Sequence, residues 1–522
     1  MNFPRSSGIL LHCTSLPGRF GIGDFGPCAC EFADFLFAAG QTLWQVLPLN
    51  PTGYGDSPYQ CFSAFAGNPL LLGLESLRDQ GLLQESDLAQ APIFPEDSVD
   101  FGAAIQFKMP MLRRAARAFF ADAAHSDLAA FDLFCENARP WLDDFALFMA
   151  LKDAHNGTAW TNWDAGIRQR DADAISEWTL RLAPELNVIK YWQFEFSRQW
   201  SGIRAYCRQR GIHLMGDIPI YVAHDSADVW SHPELFYLDD RGNPTVVSGV
   251  PPDYFSSTGQ LWGNPIYRWD VLRADGYRWW IERFRASLAH FDLVRLDHFR
   301  GFESYWEVPA GEPTAIHGRW VKAPGDGLLS TLEDVFGKLP IVAENLGVIT
   351  SAVEELRKKF GFPGMSILQF AFGTDPQGPS FRPHNYSRDL VAFTGSHDND
   401  TAIGWWSSGG AADSTRSLED IRKEREFARA YLNFVDDAEI NWILIRTLAA
   451  SVADLVIVPL QDVLGMGSTA RMNLPGTMSG NWKWRYRPGV LSREVSARLR
   501  SMTALYDRAN GSLAATGEGC DL

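Results

Sequence analysis

The chain has 522 residues, 46% of them hydrophobic and 21% charged, the balance of an ordinary globular protein with room for a large core. A net charge of -16 lacks the basic footprint that nucleic acid demands and favours a neutral or cationic small partner. The 19 Trp, 14 Tyr and 34 Phe exceed what a core needs and suit flat faces that stack on apolar surfaces, as sugar rings present.

The amino terminus has no adequate apolar stretch for export, and Ile9 to Leu11 is too short to anchor, so the protein is expected in the cytoplasm. Seven scattered cysteines (Cys13, Cys28, Cys30, Cys61, Cys135, Cys207, Cys520) agree with a reducing compartment better than with a disulfide framework. Cys28 and Cys30 lack a second pair and read as small residues near a helix start rather than as a zinc site.

Gly8 to His12 is a first strand that breaks into the turn cluster Thr14, Ser15, Pro17 and Gly18. Phe32, Phe35, Leu36 and Ala39 have helical spacing, with Gly40 as a stop. Thr42 to Pro48 is a second strand, followed by a loop dense in turn formers and aromatics from Pro51 to Gln60. From about residue 70 to 207 the pattern is helical, as in Ile105, Met109, Leu112, Ala116 and Phe119 or Ile189, Trp192, Phe196 and Trp200, with Gly211 placed to end the last helix. Alternation then resumes. Further strands are predicted at Ile212 to Asp217, Asp292 to Leu296, Pro340 to Glu344, Ser366 to Phe370, Leu390 to Thr394 and Leu455 to Pro459.

Eight apolar strands, several separated by helical segments such as Val353, Leu356 and Phe360, point to a (β/α)8 TIM barrel with large, mainly helical insertions at the carboxyl ends of the strands. The expected layout is a barrel from residues 1–69 and 208–522, with a substrate-covering loop at about 248–265, and a mainly helical insertion over 70–207 after the second strand. Ser408 to Asp413 reads as a flexible surface loop, not a boundary.

In such barrels the chemistry sits at the carboxyl ends of the strands, where this chain places Asp217, Asp297, Glu344 and the pair His397-Asp398. Arg295 and Asp297 face the same way on their strand; a guanidinium there keeps the carboxylate ionised, as a nucleophile requires, although a structural ion pair explains the same two residues. Glu344 follows Ile341, Val342 and Ala343 in a drier setting that suits a general acid, with Asn345 beside it to orient it. Two such carboxyls on neighbouring strands can cleave a glycosidic bond with retention. His397 and Asp398 are suited to gripping sugar hydroxyls and opposing positive charge; the same His-Asp pairing, repeated in Asp297-His298, also suggests a metal site, but no second His cluster supports one. His12 reads equally well as a site residue and as a hydrogen-bonded rim residue. Pro251 to Asn264 is a long loop bearing Tyr254, Phe255 and Trp262, either packed on neighbouring loops or acting as a lid that stacks on sugar and excludes water. Tyr54, Tyr59 and Trp262 are candidates to hold an incoming sugar.

Seven strings in order resemble glycoside hydrolase family 77, the 4-α-glucanotransferases: Gly53-Tyr-Gly-Asp-Ser-Pro-Tyr-Gln60, Gly216-Asp-Ile-Pro-Ile-Tyr221, Leu261-Trp-Gly-Asn-Pro265, Arg295-Leu-Asp-His298, Ala343-Glu-Asn-Leu-Gly347, His397-Asp-Asn-Asp-Thr401 and Gln461-Asp-Val-Leu-Gly465. The resemblance spans nearly the whole chain. It implies Asp297 as nucleophile, Glu344 as acid/base and Asp398 as the residue that holds the substrate in a distorted shape. It further implies sugar binding by Tyr59, Asp217, Trp262, Arg295 and His397, α-1,4-glucans and glucose as donor and acceptor, and neither cofactor nor metal. Cys13 stands where the family more often has Pro and Ser396 where it more often has Thr, changes of loop geometry that remove no catalytic group. Three other readings stay open on the residues: a related glucan hydrolase with a leakier lid, a silent glucan-binding barrel, and a metal-dependent hydrolase.

Overall fold

The computed structural model describes residues 4–252, 256–408, 417–477 and 479–509. Eight short, buried, parallel strands form its centre: β1 (Ser6–Leu10), β2 (Leu43–Gln45), β3 (His213–Ile218), β4 (Leu293–Leu296), β5 (Ile341–Ala343), β6 (Gly364–Ile367), β7 (Leu390–Phe393) and β8 (Leu455–Pro459). They are ordered β6-β7-β8-β1-β2-β3-β4-β5, so each lies beside its sequence neighbours. The remaining seam, between β5 and β6, is bridged by the Ala343 N–H to Pro363 O at 2.9 Å and by the Met365 N–H to the Asn345 Oδ1 at 2.8 Å. The strands are apolar on both faces because side chains fill the interior and helices cover the outside.

The β1–β2 crossover is the helix Pro27–Ala38, opened by Pro at its first turn and followed by Gly40 at φ 69°. Between β2 and β3 the chain is helical, dominated by Phe101–Asp122, His125–Ala154 and Ala183–Gln209. Gly211, at φ 67°, turns the last of these into β3. A buried ion pair, Lys108 Nζ to Asp24 Oδ2 at 2.7 Å, joins the Phe101–Asp122 helix to the loop after β1. Ile105, expected on an apolar face of that helix, is 43% exposed; the buried stripe runs instead through Ala104, Lys108, Leu112 and Ala115.

The loops after β3 and β4 are not only helical. They contribute a four-stranded antiparallel sheet in the order Gln260–Pro265, Val246–Val250, Ser304–Pro309, Arg319–Lys322. The expected covering loop is therefore largely a hairpin, whose two strands shift register between Val247 and Gly249. Short strands broken by Gly249, Gly259 and Gly263 give no clean alternation, which is why the sequence reads as loop. Tyr254, Phe255 and all of the Ser408 to Asp413 segment after Ser408 lie outside the described residues, as does the side chain of Tyr54.

At the amino-terminal mouth of the barrel, Arg508 is fully buried. Its guanidinium donates to Ala449 O at 2.9 Å, Ser6 O at 3.0 Å, Ala453 O at 2.9 Å and Ser451 O at 3.1 Å. It thus caps the helix Ile440–Ala450 and ties it to the start of β1. Arg508→Ala would strip a donor from each of these buried carbonyls, although Arg5 still donates to Ala449 O and Ser451 O, so a loss on the order of 2–3 kcal/mol is expected, read as a lowered denaturant midpoint. An unchanged midpoint would show that water replaces the side chain without cost.

Candidate functional site

The site is built where the strands stop. β3 and β4 pair with Asp217 level with Arg295, and β4 and β5 with Leu296 level with Ala343. Asp297 and Glu344 each follow immediately, and the pairing continues through them: Asp297 N–H donates to Ile218 O at 3.0 Å and Glu344 N–H to Leu296 O at 3.1 Å. His298 then adopts the left-handed region, φ 48° and ψ 52°, costly for a non-glycine residue. That turn aims its N–H at Glu344 Oε2, 2.8 Å away, while the Leu346 N–H donates to Oε1 at 2.8 Å. Gly301 closes the same turn against the loop after β3, where a Cβ would lie 2.6 Å from Ile220 Cδ1.

Glu344 is buried, and burial first, then the charge of Asp297, raise its pKa to about 7. The two backbone donors pull the other way without overcoming this. Asn345 does not orient it: its carboxamide donates to Glu354 Oε1 at 2.7 Å and accepts from Met365 N–H, so it closes the barrel instead.

The Arg295 guanidinium, itself buried, lies between two carboxylates, with Nη1 at 2.7 Å from Asp217 Oδ2 and Nη2 at 2.6 Å from Asp297 Oδ1. Asp217 Oδ2 also accepts from the Tyr59 hydroxyl at 2.8 Å. Its other oxygen is buried without a hydrogen-bond partner among the described residues, an acceptor left for a hydroxyl. Burial raises the pKa of Asp217, and Arg295 opposes the rise. Tyr59 stacks on His397 with centroids 5.0 Å apart, and Trp482 lies 5.9 Å from both rings. The structure thus brings Tyr59, Asp217, Arg295, Asp297 and His397 into one contact network.

Asp398, nearly half-exposed, stands 3.4 Å from His397 Nε2 and accepts from Asn473 Nδ2 at 2.7 Å, while Arg471 donates to its carbonyl at 2.5 Å. Trp262 comes from the hairpin to lie edge-on to the His298 ring at 4.8 Å. Burial lowers the pKa of His298 to about 4 and that of His12 to about 3, so both rings are neutral at pH 7. His12 is buried, with its Nδ1 lacking a hydrogen-bond partner among the described residues, and is not a hydrogen-bonded rim residue. The Ser396 hydroxyl donates to Asn399 Oδ1 at 2.9 Å and shapes the His397-Asp398 turn. Among the described residues no group of three His, Cys, Asp or Glu is placed to hold a metal ion. The Cys28 thiol is pushed up to about 11 by burial, so it is protonated at neutral pH.

Sequence reasoning missed Arg471, Asn473 and Trp482. A signal existed: Arg471-Met-Asn473 follows the last strand, at the end of the barrel where functional loops gather.

The sequence model of glycoside hydrolase family 77, described as 4-alpha-glucanotransferase, matches residues 11–492. A 4-alpha-glucanotransferase of Thermus thermophilus is 50% identical over 515 residues, covering 97% of this chain and all of that protein. One from a Synechocystis strain is 51% identical over 507 residues, covering 97% of this chain and 98% of its own. Among solved structures, an amylomaltase from Streptococcus agalactiae in complex with acarbose matches with a TM-score of 0.91 at 38% identity, over 97% of this chain and 100% of that one.

Proposed function

The chain belongs to glycoside hydrolase family 77, the 4-alpha-glucanotransferases, and from that premise we propose that it moves a segment of an α-1,4-glucan to the 4-position of another glucan or of glucose by double displacement at Asp297 and Glu344. One observation carries the assignment: a buried carboxyl whose pKa is about 7 stands one strand away from a carboxylate paired to a buried guanidinium. The two follow register-paired residues on adjacent strands, and adjacent strands lie about 4.8 Å apart. Neighbouring strands at that spacing allow the approach of roughly 5 to 5.5 Å between carboxyl groups that a retaining mechanism requires.

In the first step the Asp297 carboxylate attacks the anomeric carbon while Glu344 gives its proton to the departing glycosidic oxygen, leaving a glycosyl ester on Asp297. In the second step ionised Glu344 takes the proton of an acceptor 4-hydroxyl, whose oxygen displaces Asp297. Asp398, held by Asn473, accepts hydrogen bonds from hydroxyls of the reacting sugar and favours its distorted shape. Tyr59, Asp217, Arg295 and His397 bind the same sugar, and Trp262 stacks beside it. Tyr54, Tyr254 and Phe255 are further sugar contacts by their place in the sequence alone. The two carboxyls balance every proton, so the reaction calls on no cofactor. The partners are maltooligosaccharides and glucose, in keeping with the acarbose bound by the streptococcal relative. A cytoplasmic location accords with six free cysteines among the described residues.

Incubation with maltotriose alone tests the reading. Glucose and longer maltooligosaccharides should accumulate while total reducing ends stay constant. Reducing ends that rise in step with cleavage would mean that water, not sugar, accepts the glycosyl group.

A further inference from the structure

The turn carrying His397 and Asp398 runs from the end of β7 to the helix Ala402–Ser407. Its two ends meet one buried side chain that none of the steps above uses. Asp462, just after β8, is 1% exposed, and its Oδ2 accepts from the Thr394 hydroxyl at 2.6 Å while its Oδ1 accepts from the Ala402 N–H at 2.7 Å. One carboxylate thus spans the chord of the turn. Its own backbone is held by Asn441, whose Nδ2 donates to Asp462 O at 2.8 Å. Burial pushes the pKa of Asp462 up to about 6, and both groups bonded to it are neutral donors, an expensive arrangement for a group with only a packing role.

We propose that Asp462 is a positioning residue for glucan transfer: by fixing both ends of the 394–402 turn it sets where Asp398 meets the reacting sugar. The inference rests on the reading of Asp398 as the group that holds that sugar. Since this contact strengthens in the transition state, loosening the turn should lower kcat and leave KM nearly unchanged.

The experiment compares Asp462→Ala, Asp462→Asn and Thr394→Val in the full-length chain, with maltotriose as substrate. A misplacement near 1 Å costs about 100-fold, so Asp462→Ala should lose about that much in kcat with KM altered less than about threefold. The carboxamide of Asp462→Asn can still accept from the Ala402 N–H and can donate to the Thr394 hydroxyl, so it should recover to within about tenfold of the parent. Thr394→Val, which cuts one arm, should fall between them. Fluoride release from α-maltotriosyl fluoride, whose leaving group needs no proton, keeps slow variants measurable. In an Asp398→Asn background Asp462→Ala should then cost less than about threefold more, because its effect has already been removed. The same loss in both backgrounds, or a Thr394→Val enzyme with full kcat, would overturn the assignment. If Asp462→Ala does not fold, Thr394→Val and Asp462→Asn decide the matter alone. An Asp398→Asn enzyme as active as the parent would instead show that the reading of Asp398 is at fault, and the inference would fall with it.

Discussion

Asp297→Asn is expected to abolish transfer, leaving at most about one part in 10⁴ of the parent kcat on maltotriose, the scale of losing a covalent nucleophile. The amide keeps the shape but loses the charge that makes the carboxylate a nucleophile, so no glycosyl ester should be trapped on the variant. A second consequence separates this from general damage. The Asp297 charge is, after burial, the main cause of the raised pKa of Glu344. In Asp297→Asn that pKa should fall, though not to the ordinary glutamate value, because burial remains. Carbon-13 NMR of labelled Glu344 reads the shift. The competing nucleophile would be Asp398, but it is nearly half-exposed and its carboxylate faces the imidazole of His397 while Arg471 goes to its backbone carbonyl, whereas the Asp297 carboxylate is gripped by Arg295. A variant with substantial activity would move the nucleophile to Asp398.

Glu344→Gln is expected to lower the maltotriose rate by about 10²- to 10⁴-fold, the usual contribution of general acid catalysis. Formation of the ester from α-maltotriosyl fluoride should survive, since fluoride leaves without a proton. The first step needs Glu344 protonated, so activity of the parent should fall as pH rises through about 7, and the variant should lack that limb. Stability should depend on the same proton. The folded protein binds the Glu344 proton more tightly than the unfolded chain, so the contribution of this group is fully present below the ordinary glutamate pKa and is lost as pH rises through about 7. The glutamine has no charge to bury. Its NH2 group faces one of the two backbone N–H donors, a cost that does not change with pH, so as pH rises through about 7 the parent should lose at most roughly 3 kcal/mol in denaturant titration while the variant stays level. A basic limb that persists in the variant would assign it to another group.

The barrel strands were legible because a strand covered on both faces carries a near-continuous apolar run, so Leu293-Val294 or Ile341-Val342-Ala343 stand out from their surroundings. Charge at their ends has no packing reason, which marked Asp297 and Glu344 as candidates. The hairpin Val246–Pro265 was not legible as strand, since its pairing depends on Ser304–Pro309, contributed by the next loop. Asn345 was misjudged for a related cause: adjacency to Glu344 in sequence suggested that it orients that residue, whereas its partners are Glu354 and Met365.

Residue types, strand periodicity and motif order thus determined a parallel barrel, the acids at its carboxyl ends and the family. Only the tertiary structure decided how those acids differ. Burial of Glu344, the division of Arg295 between Asp217 and Asp297, the bond from Asn473 to Asp398 and the span of Asp462 across its turn all join residues distant in sequence. A pKa depends on solvent exclusion and on charges within a few ångströms, and neither is a property of the neighbours along the chain.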